Sequence, residues 1–361
     1  MALSTIPTRA LSEQGINFRN LIINGDMSIA QRGTSFSGLG NGDSKYTLDR
    51  MLFSEVGTPT YDVTIAQDTT VPSGQGFSNS LKLTVQTAET IGAGNGMLLV
   101  HNIEAQNLQH LKYGTSNAES ITLSFWVRSS ETGTAIARLR QPDNSDKQQC
   151  QSYTISSANT WEKKTVTFTG DTSGVINNDN GSGLQLGFWL NAGSNFTSGT
   201  LPTTWTAYSN SDTAVGQTIN VTSSTSSNFY ITGVQLEVGT SASDFEFLPY
   251  DVNLQRCQRY YQKIHDTDGI AATTTEYRSI TGFQPTMRSA PSLSVNGPYE
   301  ISDLYTFDAI QSSATISTIG TITNTRAFIQ MVNFSSLTQG RFYAGPRLVN
   351  NDYYIFADAE L

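Results

Sequence analysis

The chain has 361 residues, with 21 Lys plus Arg against 30 Asp plus Glu and a formal net charge of −9; charged side chains make up only 14%, against roughly 25% in an ordinary soluble domain. An acidic balance with seven lysines leaves no electrostatic footprint for nucleic acid, and no run approaches the roughly 18 consecutive apolar residues of a membrane span. The 17 Phe and 15 Tyr are too much buriable surface for a disordered chain, and the length suggests two or three domains.

Residues 1–19 are polar, carry Pro7 and read as an extended N-terminal arm. Met1–Arg9 lacks the apolar core of a signal peptide, so folding in a cytosol is expected and any exported role needs a route other than ordinary secretion. Beyond the arm the apolar residues recur with period two. Leu81, Leu83 and Val85 share one parity, as do Ile121, Leu123, Phe125 and Val127, then Val166 and Phe168, then Leu184, Leu186, Phe188 and Leu190. Such segments predict half-buried strands. Gly, Asn, Asp and Ser clusters between them, such as Gly170–Gly174 and Asn177–Gly181, suit tight turns. The runs Gly38–Gly42 and Gly92–Gly96 have phosphate-loop composition, but neither lies between a strand and a helix with the right spacing, and both are expected to be hairpin loops.

In the stretch 228–238, Phe229 and Ile231 have one parity while Val234, Leu236 and Val238 have the other. Both sets reach one core only if a residue is inserted, which predicts a β-bulge at Thr232–Gly233. One helix is predicted, beginning near Asp251 as its cap and running about fourteen residues, with Leu254, Cys257, Tyr261 and Ile264 on one side and Arg256, Arg259 and Lys263 on the other. So short a helix must pack, either on its own domain or on copies of itself as an oligomer interface. Strand patterns resume beyond His265, in PSLSV, ISDLYTF, AFIQMVNF, RFYAG and Tyr353–Ala357, enough for a second small β domain. Cys150 and Cys257 form no CxxC or zinc spacing and are expected to be reduced, buried thiols.

Asn20–Gly33 followed by Tyr46–Arg50 resembles the start of a module common in bacteriophage tail-fibre and other virion appendage proteins. Ile231–Gly239, Phe245–Tyr250 and Arg256–Tyr261 resemble the end of the same module, and Leu123–Arg128 and Thr160–Phe168 are similar to strands of jelly-roll carbohydrate-binding modules. The resemblance covers about residues 20 to 262, and the closing Asp358–Leu361 is similar to phage fibre tips. It implies an all-β protein: an arm (1–19) that docks on another virion protein, a jelly-roll β-sandwich (20–248), a linking helix (249–265) and a smaller C-terminal β-sandwich domain (266–361). It further implies a homotrimer, assembled in the host cytoplasm and carried on the virion, that binds host-surface glycans as a tail fibre. The same modules also suit a capsid decoration or head fibre, and a surface-polysaccharide depolymerase is a third reading.

No catalytic motif supports an enzyme. His101, His110 and His265 have no ligand spacing, His101 and His110 read as surface or turn residues, and GxSxG and HExxH are absent. For glycan contact the candidates are Trp205 and Tyr208 in the polar loop 201–210, which either meet sugar or fold back as a plug. Trp126 and Trp189 fall on the non-core parity of their strands, where they line a concave sheet face or are covered by the arm or the helix. Tyr305, Phe307, Phe342, Tyr343, Tyr353 and Tyr354 give the last domain an aromatic density that suits a tip or a trimeric core. No cofactor is called for. A structural calcium ion would have oxygen ligands around Asn24, Gly25, Asp26 or Asp49, but no EF-hand spacing supports it, and Asp49 with Arg50 reads more simply as an ion pair.

Overall fold

Two-residue alternation over most of the chain forces antiparallel sheets, and the computed structural model consists largely of them. It describes residues 18–361 apart from 41, 43, 144–145, 265–267, 296–298, 306–308, 313–314, 319–321 and 346–353. Tyr353, Phe307 and His265 lie outside the described residues, as does the arm except for Phe18 and Arg19, whose backbone N–H groups donate to Glu246 Oε1 at 2.9 and 3.3 Å. The chain divides into two compact units, one of residues up to 28 with 34–248, the other of 29–33 with 249–361.

In the first unit the strands are β1 (Ser35–Leu39), β2 (Lys45–Tyr46), β3 (Leu52–Val56), β4 (Asp62–Asp68), β5 (Ser80–Thr87), β6 (Gly96–Glu104), β7 (Ile121–Ser129), β8 (Gly133–Gln141), β9 (Lys147–Ile155), β10 (Glu162–Phe168), β11 (Ser182–Ala192), β12 (Thr206–Ala207) and β13 (Asn228–Val238). They make a six-stranded sheet, β1-β4-β5-β13-β7-β10, and a seven-stranded one, β12-β9-β8-β11-β6-β3-β2. The chain passes repeatedly from one sheet to the other, giving an all-β jelly-roll sandwich. Gly92–Gly96 is therefore a crossover between sheets, joining β5 to β6, and not a hairpin loop. Leu81, Leu83, Leu123, Phe125 and Val127 of one sheet bury against Leu99, Leu139, Leu186 and Phe188 of the other. Phe125 packs edge-on against Phe188 and Tyr153, both at 5.0 Å, the geometry aromatic quadrupoles favour.

The bulge in β13 is present. Its register against β7 slips between Thr232 and Gln235, and Gly233 takes φ +62°, where an added Cβ would lie 2.5 Å from the Phe77 ring; only glycine fits. Pairing of β13 with β5 stops at Ile231. From there Asn20–Gly25 takes over that edge: Leu21 N–H donates to Leu236 O and Val234 N–H to Gly25 O, each at 2.9 Å. The buried Asn20 amide completes the join. Its Oδ1 accepts from Ile22 N–H at 3.0 Å and Leu236 N–H at 3.1 Å, and its Nδ2 donates to Val234 O at 3.1 Å. Asn24 Nδ2 then donates to Asp49 O at 3.0 Å, fixing the buried turn Thr47–Met51. Arg50 lies buried in that turn and donates to Asn102 O. His101, expected at the surface, is buried in β6 and accepts from Ile23 N–H at 3.3 Å; its inward parity between Leu99 and Ile103 explains the difference.

In the second unit the strands are β14 (Tyr261–Ile264), β15 (Gly269–Ala271), β16 (Tyr277–Gly282), β17 (Ser292–Val295), β18 (Tyr299–Asp303), β19 (Ala309–Ser312), β20 (Thr315–Thr318), β21 (Arg326–Val332), β22 (Phe342–Ala344) and β23 (Ile355–Asp358). They form a three-stranded sheet, β14-β23-β17, and a seven-stranded sheet, β19-β18-β22-β15-β16-β21-β20, around Tyr277, Ile301, Ile329, Met331, Tyr343 and Ile355. The helix is shorter than its apolar spacing predicts. Helix α1 covers Tyr250–Gln258, with Pro249 and not Asp251 at its N-cap. Tyr261 and Ile264 belong instead to β14, paired with β23, so Leu254, Cys257, Tyr261 and Ile264 form no continuous helical stripe. Cys257 and Tyr261 are buried within their own unit. The Arg32 guanidinium lies 3.7 Å from the Tyr261 ring centroid and pairs with Asp358 at 2.8 Å and Glu360 at 3.3 Å, which ties Ile29–Gly33 into this unit.

Replacing Asn20 with Ala leaves the buried N–H groups of Ile22 and Leu236 without this acceptor. A loss of about 3 kcal/mol is expected from urea unfolding, at about 1–3 kcal/mol per orphaned buried group. A second expectation concerns acid. Burial raises the Asp171 carboxyl, but the N–H groups of Ser173 and Gly174 and the Lys147 ammonium outweigh it and hold it below the ordinary 3.8. The stabilisation is therefore complete above that pH and is lost as pH falls through the lower folded value. Asp171→Asn should be less stable than the parent at pH 7, and the gap should close in thermal melts taken progressively below pH 3.8.

Candidate functional site

The outer face of the seven-stranded sheet of the first unit carries the residues that alternation directs away from the core. Cys150, Arg138, Gly187, Val100 and Leu52 form one row across β9, β8, β11, β6 and β3, continued by Tyr46 on β2. Gln148, Arg140, Gln185 and Asn102 form the next. On the other side of the first row lie Trp189 and Leu98.

One end of this face is closed. The excursion between β11 and β13 folds over it through a helical turn, Ser194–Thr197, whose Phe196 ring packs on Trp189 at 5.3 Å. Leu98, Ile136, Cys150, Trp189, Phe196 and Ala214 thus make a second apolar cluster outside the main core. Trp189 is 1% exposed and is not a surface contact residue; its cover comes from residues 193–214, and neither the arm nor the helix was needed.

The other end stays open. Tyr208, just past β12, is half-buried, with the Arg140 guanidinium 4.4 Å and the Arg138 guanidinium 5.9 Å from its ring centroid. Its hydroxyl donates to Asn210 Oδ1 at 2.7 Å. Arg140 is held by two hydrogen bonds to Asp146, both 2.7 Å, and this carboxylate raises the guanidinium further. Gln185 is half-buried across from Arg140 on β11, and farther along the same sheet Leu52 and Tyr46 are half-buried, the Tyr46 hydroxyl accepting from Asn102 Nδ2 at 3.0 Å. An aromatic ring among fixed donors and acceptors is thereby presented on a rigid sheet.

Arg138 is the electrostatic anomaly. It is 7% exposed, and burial pulls its guanidinium below the ordinary value, an effect the neighbouring Arg140 adds to and the Tyr208 phenol and Cys150 thiol oppose. The thiol supplies no counter-charge, because burial pushes it up to about 12.

The remaining candidates lie elsewhere. Trp205 is folded back: its indole N–H donates to Thr169 O at 2.6 Å and its ring packs edge-on against Tyr113 at 5.8 Å. Trp126 is half-buried on the outer face of the six-stranded sheet, separated from Trp189 and Tyr208 by the sandwich core. That face also holds Tyr230, with Arg128 at 4.7 Å, Lys82 at 5.5 Å and the Trp161 ring at 6.1 Å. Tyr343 is a core residue of the second unit, its hydroxyl accepting from Thr338 N–H at 2.9 Å, and is withdrawn as a glycan contact. Tyr305 is 81% exposed, with the Arg341 guanidinium 5.0 Å from its ring. Among the described residues no three His, Cys, Asp or Glu side chains converge as a metal site. Arg138 and Arg140 escaped the sequence reading, although their parity in Ala135–Gln141 is the outward one and was available as a signal.

No protein-family model and no curated protein matches the chain. Among solved structures it is similar to the enzymatically active domain of tailspike protein 4 of bacteriophage CBA120, at 14% identity over 56% of this chain, with a TM-score of 0.31. It is similar to the family 11 carbohydrate-binding module of a Clostridium thermocellum cellulosomal cellulase, at 10% identity over 57% of this chain and a TM-score of 0.29. It is also similar to the N-terminal cellulose-binding domain of Cellulomonas fimi β-1,4-glucanase C, at 16% identity over 53% of this chain and a TM-score of 0.28. The overlap takes in 21% of the tailspike chain, 97% of the family 11 module and 90% of the cellulose-binding domain.

Proposed function

We propose that this chain is a glycan-binding protein of a phage virion appendage, a tail fibre that attaches to host-surface sugars without turning them over. The observation that carries the glycan reading is the open end of the seven-stranded sheet. There Tyr208 presents a half-buried ring beside the guanidinium groups of Arg138 and Arg140, with Gln185 across from Arg140. Sugar rings stack their C–H faces on aromatic rings, while their hydroxyls need donors and acceptors whose positions are already fixed. The appendage role is supported by the motifs Asn20–Gly33, Tyr46–Arg50 and Ile231–Gly239, and the arm would supply the docking element.

A homotrimer is part of the proposal. In the second unit Phe342 and Ile270 are cross-strand partners, and Phe342 and Ile280 are 66% and 63% exposed. Side chains of this kind on one chain form the apolar surface that association would cover.

An array of bacterial surface glycans probed with the full chain should give binding, and Tyr208→Ala should weaken it about tenfold or more, as loss of an aromatic anchor does. Trp205→Ala should instead keep the affinity and lose about 2 kcal/mol of stability, its contacts being internal. A chain that binds no glycan, or Tyr208→Ala binding like the parent, overturns the assignment. Sedimentation velocity should give three times the chain mass for the parent and a smaller species for Phe342→Ser with Ile280→Ser.

A further inference from the structure

From the unpaired charge of Arg138 we propose that the sugar taken by this face carries a carboxylate, as a uronic acid residue does. The inference rests on the glycan-binding reading and narrows it to acidic glycans. A guanidinium removed from water normally acquires a carboxylate partner, since burial of an uncompensated charge is strongly unfavourable. Arg138 has none among the described residues. Its Nε is buried without a hydrogen-bond partner, and the groups around it are the Tyr208 phenol, a neutral hydrogen-bond partner, the Trp189 ring at 5.8 Å, the Cys150 thiol and a second guanidinium, Arg140. The nearby acid that could serve, Asp146, is committed to Arg140 in a two-bond pair. The Trp189 indole N–H is likewise buried without an acceptor. A buried guanidinium with an unsatisfied Nε thus lies at the border of the open part of the face, with the unaccepted Trp189 indole N–H behind it under the cover, and the missing complement is an anionic acceptor. A planar carboxylate suits a guanidinium through two parallel hydrogen bonds. Gly187, directly across from Arg138, leaves room for the guanidinium to lie over the strand, where a Cβ would meet its Nη2 at 3.8 Å.

The test compares an oligogalacturonate with its methyl ester, a probe of the same shape without the charge, by isothermal titration calorimetry on the full chain. The acid form should bind at least about tenfold tighter, a modest expectation for a desolvated ion pair, and Arg138→Met should abolish that difference. Because the variant removes a buried unpaired charge and keeps an unbranched side chain, its melting temperature should be unchanged or higher, which a purely structural Arg138 would not allow. Equal affinity for acid and ester, or an undiminished preference in Arg138→Met, overturns the acidic-sugar inference and leaves the glycan reading standing. Absence of binding to either probe also overturns it for uronic acids, and only if the glycan array is blank as well does the glycan reading fall. If Arg138→Met is unfolded, the acid-to-ester comparison on the parent chain decides alone.

Discussion

The sandwich depends on how one side chain completes a strand that cannot complete itself. The bulge at Thr232–Gly233 brings both parities of β13 onto a single core, but it also separates the strand from β5 and exposes backbone donors and acceptors in a buried place. Asn20 answers this with one amide, accepting from Ile22 and Leu236 and donating to Val234. A carboxylate would bring a charge and lose the donor; an aliphatic residue would leave buried N–H groups unpaired. The same segment then reaches Asp49 through Asn24 and His101 through Ile23. The motifs that set this chain apart as a sequence are thus parts of a single join, and their specificity is structural. The glycan contact proposed for Tyr208, Arg138 and Arg140 falls outside them.

That separation explains what could be read from the sequence and what could not. Period-two alternation identified β5, β7 and β11 and their inward faces, because one buried face dictates parity at every second position. The parity break in β13 located the bulge for the same reason. The helix was overextended since Tyr261 and Ile264 satisfy helical spacing from Leu254, while edge pairing with β23, almost a hundred residues later, decides their conformation. Trp189 was correctly placed on the outward side, but its cover arrives from Phe196 and Ala214 through a loop whose path no local pattern encodes. Arg138 shows the limit most clearly. Its outward parity was visible, whereas its lack of a partner depends on Asp146 being taken by Arg140 and on the Cys150 thiol staying protonated.

The face itself combines two opposed physical regimes. Around Trp189 the excursion 193–214 makes an apolar cluster through Phe196 and Ala214. Within one row of it the surface becomes polar, with Arg140, Gln185 and Asn102 in register. The ligand contact proposed for such a border would gain from the rigidity of the covered half, because Arg140 is already held by Asp146 and stacks on Tyr208.

Residues 29–33 belong to the second unit although more than two hundred residues separate them from the rest of it. Translation therefore delivers the guanidinium of Arg32 long before Tyr261, Asp358 and Glu360 exist to receive it. The three-stranded sheet that carries Tyr261 and Asp358 thus closes on a peptide from far earlier in the sequence, which makes folding of this unit non-local. A chain whose 29–33 stretch is held elsewhere would leave Asp358 and Glu360 without that guanidinium, so a disturbance at residues 29–33 would be felt at 358–360.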